Sequence, residues 1–316
     1  MDSARRAVID VGTNSIKLLI AEVSGREVRP VWEESKQTRL GHGFYDTHRL
    51  QPGPMSKTGQ AVAQFVAAAR DQQAACIRVI ATSAVRDAVN AAELSGIIEQ
   101  ACGIKVEIIS GDQEAELIFQ GVTTDPKLRR EPLLILEVGG GSSELILGHG
   151  DQLDFGRSFP LGTVRLLAQL PHSDPPKLKE LRACRDWVRE FLREQTQSEL
   201  AVAMQRETKF QSRNGGMQLV GTGGTASILG CLEAGLATFD RSRLEAARLT
   251  HERLRWHVNR LWSLPLEQRK QLVGLPPNRA DVILTGAVIY EAILEQFGFA
   301  ELRISTRGLR FGAVLR

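Results

Sequence analysis

Apolar positions along the chain change period repeatedly, and each change marks an element. In AVIDVGTNSIKLLIAEV, residues 7 to 23, two apolar runs flank Gly12 and predict strand, tight turn and strand. Val62, Phe65, Val66 and Ala69 recur at helical spacing within 56–74, and IRVIA then makes a short buried strand ending in TSAVRDAVN. A helix over 91–102 closes at Gly103, KVEII is another strand, and Asp112 is the expected cap of the helix QEAELIFQG. After TTDPKLRREP the opening plan returns: LLILEVGGGSSELILG again runs apolar strand, acid, glycine turn, apolar strand, as an internal duplication would. The pattern then predicts helices near 162–170 and 177–196, and a loop at 211–216. The strand MQLV runs into a third glycine turn, GTGGTAS, with the helix ASILGCLE after it. Helices near 250–263 and 278–297, the strand LRIS and a closing helix from Gly308 complete the order.

Strands alternating with helices give an α/β class, and the consecutive hairpins make its sheets mixed rather than purely parallel. No GxGxxG follows the first strand, which sets aside a dinucleotide-binding dehydrogenase. A length of 316 residues exceeds what one core comfortably fills, so two domains with a cleft between them are expected. A repeated hairpin would place one anion-binding turn in each. Backbone N–H groups in such a turn can converge on one anion, the missing Cβ lets it approach, and the carboxylates at the strand ends suit a hard cation such as Mg²⁺.

Composition narrows this only a little. A hydrophobic fraction of 42%, a charged fraction of 24% and a formal charge of +3 without blocks of like charge argue for a soluble globular protein and against duplex nucleic acid as partner. Cys76, Cys102, Cys184 and Cys231 are scattered with no CxxC, which points to a reducing cytoplasm and away from zinc. No stretch reads as a signal peptide or membrane span. The six histidines show no ligand spacing and are read as surface or loop residues; none is linked by motif to Ser142 or Ser143, so those hydroxyls are assigned to phosphate hydrogen bonding rather than nucleophilic attack.

VIDVGTNS, ATSAVRDAVN, EVGGGSSE, PLGTVRL and GTGGTAS, in that order over nearly the whole chain, resemble the exopolyphosphatase and guanosine pentaphosphate phosphatase (Ppx/GppA) family in its short, two-domain form. The resemblance implies two actin-like, duplicated ribonuclease-H-like domains with mixed sheets flanked by helices and an interdomain cleft. It implies an N-terminal domain over 1–125 completed by the C-terminal helix 305–316, and a second domain over 126–304. It also implies Mg²⁺-dependent hydrolysis of terminal phosphoanhydrides in inorganic polyphosphate or guanosine penta- and tetraphosphate, and a homodimer. Residue by residue, Asp10 with Gly12, Thr13, Asn14 and Ser15 resembles the first phosphate loop, and Gly139, Gly140, Gly141, Ser142 and Ser143 the second. Gly223, Gly224 and Thr225 lie in the third turn, and Asp10, Glu137 and Glu144 are the metal candidates. Glu114 matches the glutamate that orients or deprotonates water, and Arg86 the arginine that neutralises phosphate oxygens; Arg165 and Arg279 are weaker candidates. The bare reading of these two leaves Glu114 a first-turn helix glutamate and Arg86 a partner of Asp87 or another surface acid.

Two positions depart from the family. Glu137 stands where aspartate is usual, carrying its carboxylate about 1.5 Å farther from the backbone. Glu116 stands where arginine is more frequent, reversing charge near the expected water. A sensor of polyphosphate or an alarmone with little turnover, and an acceptor-dependent kinase of the same fold, are the alternatives.

Overall fold

The structure, a computed structural model, describes residues 4–211 and 216–316, so positions 212–215 of the expected loop lie outside the described residues. The chain forms two compact units: the residues up to Asp125 together with Arg307–Arg316, and Pro126–Thr306.

In the first unit β1 (Ala4–Val11), β2 (Ser15–Ser24) and β3 (Glu27–Gln37) form an antiparallel meander. Helix α1 (Pro52–Asp71) then leads to β4 (Cys76–Ala81), the single turn α2 (Ser83–Arg86), α3 (Ala91–Cys102), β5 (Val106–Ile108) and α4 (Gly111–Val122). Among the described residues this makes a mixed sheet of order β3-β2-β1-β4-β5, with β1, β4 and β5 parallel. The centre of β1 is apolar because both faces are covered, with Met55, Val62, Phe65 and Val66 of α1 in its core. Helix α3 ends, as expected, on Gly103 at φ 73°. The cap of α4 is Ser110 and not Asp112: Gln113 N–H donates to Ser110 Oγ at 3.1 Å while Gln113 Oε1 accepts from Ser110 N–H at 2.8 Å, a reciprocal capping box.

The second unit repeats the plan. Strands β6 (Leu133–Val138), β7 (Ser143–His149) and β8 (Gln152–Phe159) form the meander, followed by α5 (Thr163–Gln169) and α6 (Leu178–Gln211), which runs well past the expected end at 196. Then come β9 (Gln218–Thr222), α7 (Gly223–Ala234), α8 (Arg241–Ala246), β10 (Arg248–Thr250), α9 (His251–Ser263), α10 (Leu266–Arg269), α11 (Ile283–Phe297) and β11 (Glu301–Ile304). The sheet order is β10-β11-β9-β6-β7-β8, with β6, β9 and β11 parallel. Helix α11 is buried along most of its length because it is apolar on nearly every side. The edge strands β3 and β8 escape a reading by periodicity: they are polar and mostly half-buried or exposed, and each carries a bulge, opposite Ile20/Ala21 and Leu147/Gly148 of its neighbour. His257 corrects the reading of all histidines as surface groups. It is 1% exposed on α9, and its Nε2 lies 2.7 Å from Glu233 Oε2.

A short C-terminal helix, Leu309–Ala313, closes the first unit against α4. The crossing is so tight that a Cβ on Gly312 would stand 1.9 Å from the Leu117 carbonyl oxygen, and one on Gly121 2.0 Å from that of Gly308. Among the described residues no helix is long and apolar enough to cross a membrane.

Candidate active site

Asp10, Arg86 and Glu114 all sit at the carboxyl ends of the adjacent parallel strands β1, β4 and β5, the edge where open α/β sheets take their ligands. Asp10 is in β1, Arg86 ends the turn after β4, and Glu114 lies in the first turn of the helix after β5. Arg86 Nη1 donates to Glu114 Oε2 at 2.8 Å and to the Ile109 carbonyl at 3.2 Å, with Asp87 3.9 Å from Nε. The acid that Arg86 meets is therefore Glu114, itself only 6% exposed, and a charge-assisted hydrogen bond fixes the carboxylate's orientation. Glu116 does not reverse the charge beside this pair. Two residues on, it faces the other side of α4, where Arg316 Nη2 donates to it at 2.5 Å.

The two glycine turns are built alike. Gly12 N–H donates to the Ser15 carbonyl at 3.1 Å and Gly139 N–H to the Ser142 carbonyl at 2.9 Å. A Cβ at either glycine would stand 3.0–3.1 Å from that same oxygen, and neither has positive φ, so a side chain there would press the turn's own carbonyl outward by a few tenths of an ångström. Those two amides close the turns and are not offered to an anion. In the second turn the amides of Thr163 and Val164, opening α5, donate to the carbonyls of Gly139 and Gly140 at 2.9 and 2.8 Å, and Arg165 Nε donates to that of Gly141 at 2.7 Å. In a trans peptide the N–H opposes the C=O, so the amides of Gly140, Gly141 and Ser142 are aimed away from α5 as a group. Arg165 is thereby a turn-holding residue. Gly162 permits this docking, since a Cβ there would meet the Gly140 carbonyl at 2.5 Å. In the first turn Gly41 and Arg39 amides hold the carbonyls of Thr13 and Asn14 at 2.7 and 3.0 Å, which aims the N–H groups of Asn14 and Ser15 the opposite way. Two hydroxyls expected to bind phosphate serve the backbone: Ser143 Oγ donates to the Leu161 carbonyl, and Thr225 Oγ1 to that of Val138 at 2.9 Å.

Hairpin register pairs Asp10 with Lys17 and, at the equivalent place, Glu137 with Glu144. The first pair is balanced by its own ammonium. Burial still pushes the Asp10 carboxyl above the usual aspartate range, with Lys17 and Arg310 opposing. The second pair sets two carboxylates opposite each other across the hairpin. Glu144 is 1% exposed and accepts from Ser158 Oγ at 2.7 Å. The all-oxygen donors of Glu137 and Glu144 thus fit a hard divalent cation such as Mg²⁺. Among the described residues no three His, Cys, Asp or Glu side chains gather as a ready-made metal cage. The extra methylene of Glu137 is taken up over Gly223, which has φ 81° and whose Cβ would stand 2.7 Å from Glu137 Oε1. At the next residue, a Cβ on Gly224 would stand 2.7 Å from Arg279 Nη2, which brings Arg279 to the third turn.

Residues 19–316 match the Ppx/GppA phosphatase family. The chain belongs to that family. Exopolyphosphatase 2 of Mycobacterium tuberculosis is 32% identical over 328 residues, spanning 100% of this chain and 99% of that protein. Exopolyphosphatase 1 of Mycobacterium bovis is 26% identical over 320 residues, covering 99% and 88%. The crystal structure of the Aquifex aeolicus Ppx/GppA family member superposes with a TM-score of 0.79 at 26% identity, covering 99% of this chain and 97% of that one. The fold is accordingly the two-domain actin-like α/β fold of the Ppx/GppA proteins, with two mixed sheets flanked by helices.

Several site residues have no motif to announce them. Lys17 and Ser158 are found only by hairpin register, and Lys17 was open to that reading because it and Asp10 stand equally far from the turn. Tyr290, whose hydroxyl reaches the ends of β6 and β9, had no local signal at all.

Proposed function

We propose that the chain hydrolyses the terminal phosphoanhydride of inorganic polyphosphate, of guanosine pentaphosphate, or of both, with water as acceptor. The observation that carries this reading is the half-buried Arg86 holding the buried Glu114 at the carboxyl ends of β4 and β5, in the unit that also bears the Asp10 turn. Membership of a phosphatase family and the names of its exopolyphosphatase relatives support the substrate class.

In this mechanism the outward amides of Asn14 and Ser15 in the first unit, and those of Gly140, Gly141 and Ser142 in the second, each form an anion-binding turn, where preorganised N–H groups cost no reorganisation as charge moves. Glu114 accepts a proton from water as its oxygen bonds to the terminal phosphorus. The bridging P–O bond breaks, and the electron pair leaves with the shortened chain. Arg86 holds Glu114 in place and lends positive charge beside the transferring group. Mg²⁺, held by Glu137 and Glu144, would supply charge neutralisation on the phosphate oxygens.

The test is orthophosphate release from polyphosphate and from guanosine pentaphosphate, with Mg²⁺ and with chelator, for wild type and Glu114→Gln. Release should require the metal, and Glu114→Gln should lower kcat by about 10²–10⁴ while the protein stays folded. An undiminished Glu114→Gln rate would remove Glu114 from the chemistry; binding of both substrates without any release would make the protein a sensor.

A further inference from the structure

Tyr290 is fully buried on α11, and its hydroxyl stands 3.0 Å from the Leu136 carbonyl and 3.2 Å from the Thr222 carbonyl. Those carbonyls belong to neighbouring parallel strands, in which Glu137 pairs with Thr222. One precedes Glu137 and the other precedes Gly223. The phenol sits at a gap the fold leaves for it: a Cβ on Gly221, the first glycine of the third turn, would stand 2.9 Å from Tyr290 Cε1. Gly221 therefore makes room for the ring. Burial, and then the charges of Glu137 and Glu144, push the phenol well above its ordinary pKa, so the hydroxyl stays a donor.

Holding a carbonyl inward aims the following N–H outward, because the two oppose each other across a trans peptide. A single hydroxyl thus braces the peptide planes Leu136–Glu137 and Thr222–Gly223 together, beside the strand ladder that pairs Glu137 with Thr222. The first carries the Glu137 side chain, and the second aims the opening amide of the third glycine turn. Nearby contacts hold the same region: Thr285 Oγ1 donates to the Thr163 carbonyl at 2.9 Å, and Gly286 lets α11 close on Thr163 and Thr225. Helix α11 is in turn held by the pairing of its buried Glu291 with Arg185 of α6, at 2.7 and 2.8 Å.

We propose that Tyr290 is a positioning residue, which through these two carbonyls aims the Glu137 carboxylate at the divalent cation and the Gly223 amide at a phosphate oxygen. The cation and the phosphate oxygen rest on the function proposed above; the setting of the Gly223 peptide does not.

Tyr290→Phe keeps the ring and removes only the hydroxyl, so the test uses that variant of the full chain. Mg²⁺ affinity by calorimetry should weaken about 10-fold, the scale seen when an outer-shell partner of a metal ligand is lost. The same substitution placed on Glu137→Gln should add less than about a twofold change, because the route through Glu137 is already cut. In metal-free protein, the Gly223 amide resonance should move in Tyr290→Phe while amides of the first unit stay in place. A Gly223 resonance unmoved from wild type overturns the proposal whether or not Mg²⁺ binds. A moved Gly223 resonance in Tyr290→Phe, beside a wild type that binds no Mg²⁺, keeps Tyr290 as the setter of the turn and instead removes the metal from the proposed function. Equal losses of Mg²⁺ affinity in both backgrounds overturn the route through Glu137.

Discussion

Asp10 carries its charge at a cost that a simple variant exposes. Its carboxyl is only 8% exposed, and burial raises its folded pKa above the unfolded value despite Lys17 across the hairpin. Between those two values the native state binds more proton than the unfolded chain, so this residue's contribution falls as pH climbs through the window and stays unfavourable above it. Asp10→Asn should therefore melt above wild type at pH ~7.5 in chelator, with the gain shrinking as pH falls through the raised folded value toward the unfolded one near ~4. Thermal melts at the two pH values check it, and a lower melting temperature for Asp10→Asn at the higher pH would refute it. A residue kept against stability in this way is one that function retains. Of the site at this scale, Glu114, Arg86 and the turn residues were legible because each lies in a compact motif. The Arg86–Glu114 bond was not, because it joins residues 28 apart through a fold that no local pattern encodes. Tyr290 was further out of reach, with its partners 154 and 68 residues away. Ser143 and Thr225 show the converse: the motif names the hydroxyl, and only packing shows that it is spent on a carbonyl.

Elements with a covered face were legible, and elements at an edge were not. Strands β1, β2, β6 and β7 announce themselves as apolar runs, whereas β3, with Pro30 beside its bulge, and the mostly half-buried or exposed β8 do not. The start of α4 was misread at Asp112 even though Ser110 and Gln113 spell a capping box, since an acid near a helix start also satisfies the dipole argument. What the pattern cannot carry is the crossing of α4 with the C-terminal helix, where backbone meets backbone. Gly312→Ala would drive a Cβ to 1.9 Å from the Leu117 carbonyl oxygen, a main-chain atom with nowhere to rotate. The helices must separate, which should destabilise the first unit by at least about 1–3 kcal/mol. Because α4 also carries Glu114, kcat should fall along with the denaturant midpoint. Chemical unfolding beside steady-state kinetics reads both; an unchanged midpoint would mean that the crossing is looser than its geometry states.

At the scale of the molecule the duplication is the feature the sequence displays most openly, and it extends to details no motif shows. Both units order a meander beside parallel strands, both close the first turn with a glycine-to-serine hydrogen bond, and both place a charged pair at the same register. The units differ in chain continuity, since the first is completed by Arg307–Arg316. That segment buries Leu309, Phe311 and Val314, at roughly 1.5–3 kcal/mol each, a sum comparable with the ~5–15 kcal/mol that holds a whole domain together. It also ties distant strands. Arg6 donates to the carbonyls of Val314 and Leu315 at 3.2 and 3.0 Å, Arg78 to that of Ala313 at 2.8 Å, and Arg310 to that of Leu18 at 2.5 Å. A chain ending at Thr306 loses all of these from the first unit and none from the second. Its calorimetric trace should keep one cooperative transition from the second unit, while amides of β1, β4 and α4 exchange as in an unfolded chain. Adding the missing ten residues as a separate peptide should restore protection to those amides, because the segment contributes through packing that does not require a covalent bond to Thr306. Full protection of β1 and α4 in the shortened chain would show that the first unit holds its fold without the segment, and that its contacts with α4 are additions to a domain already complete.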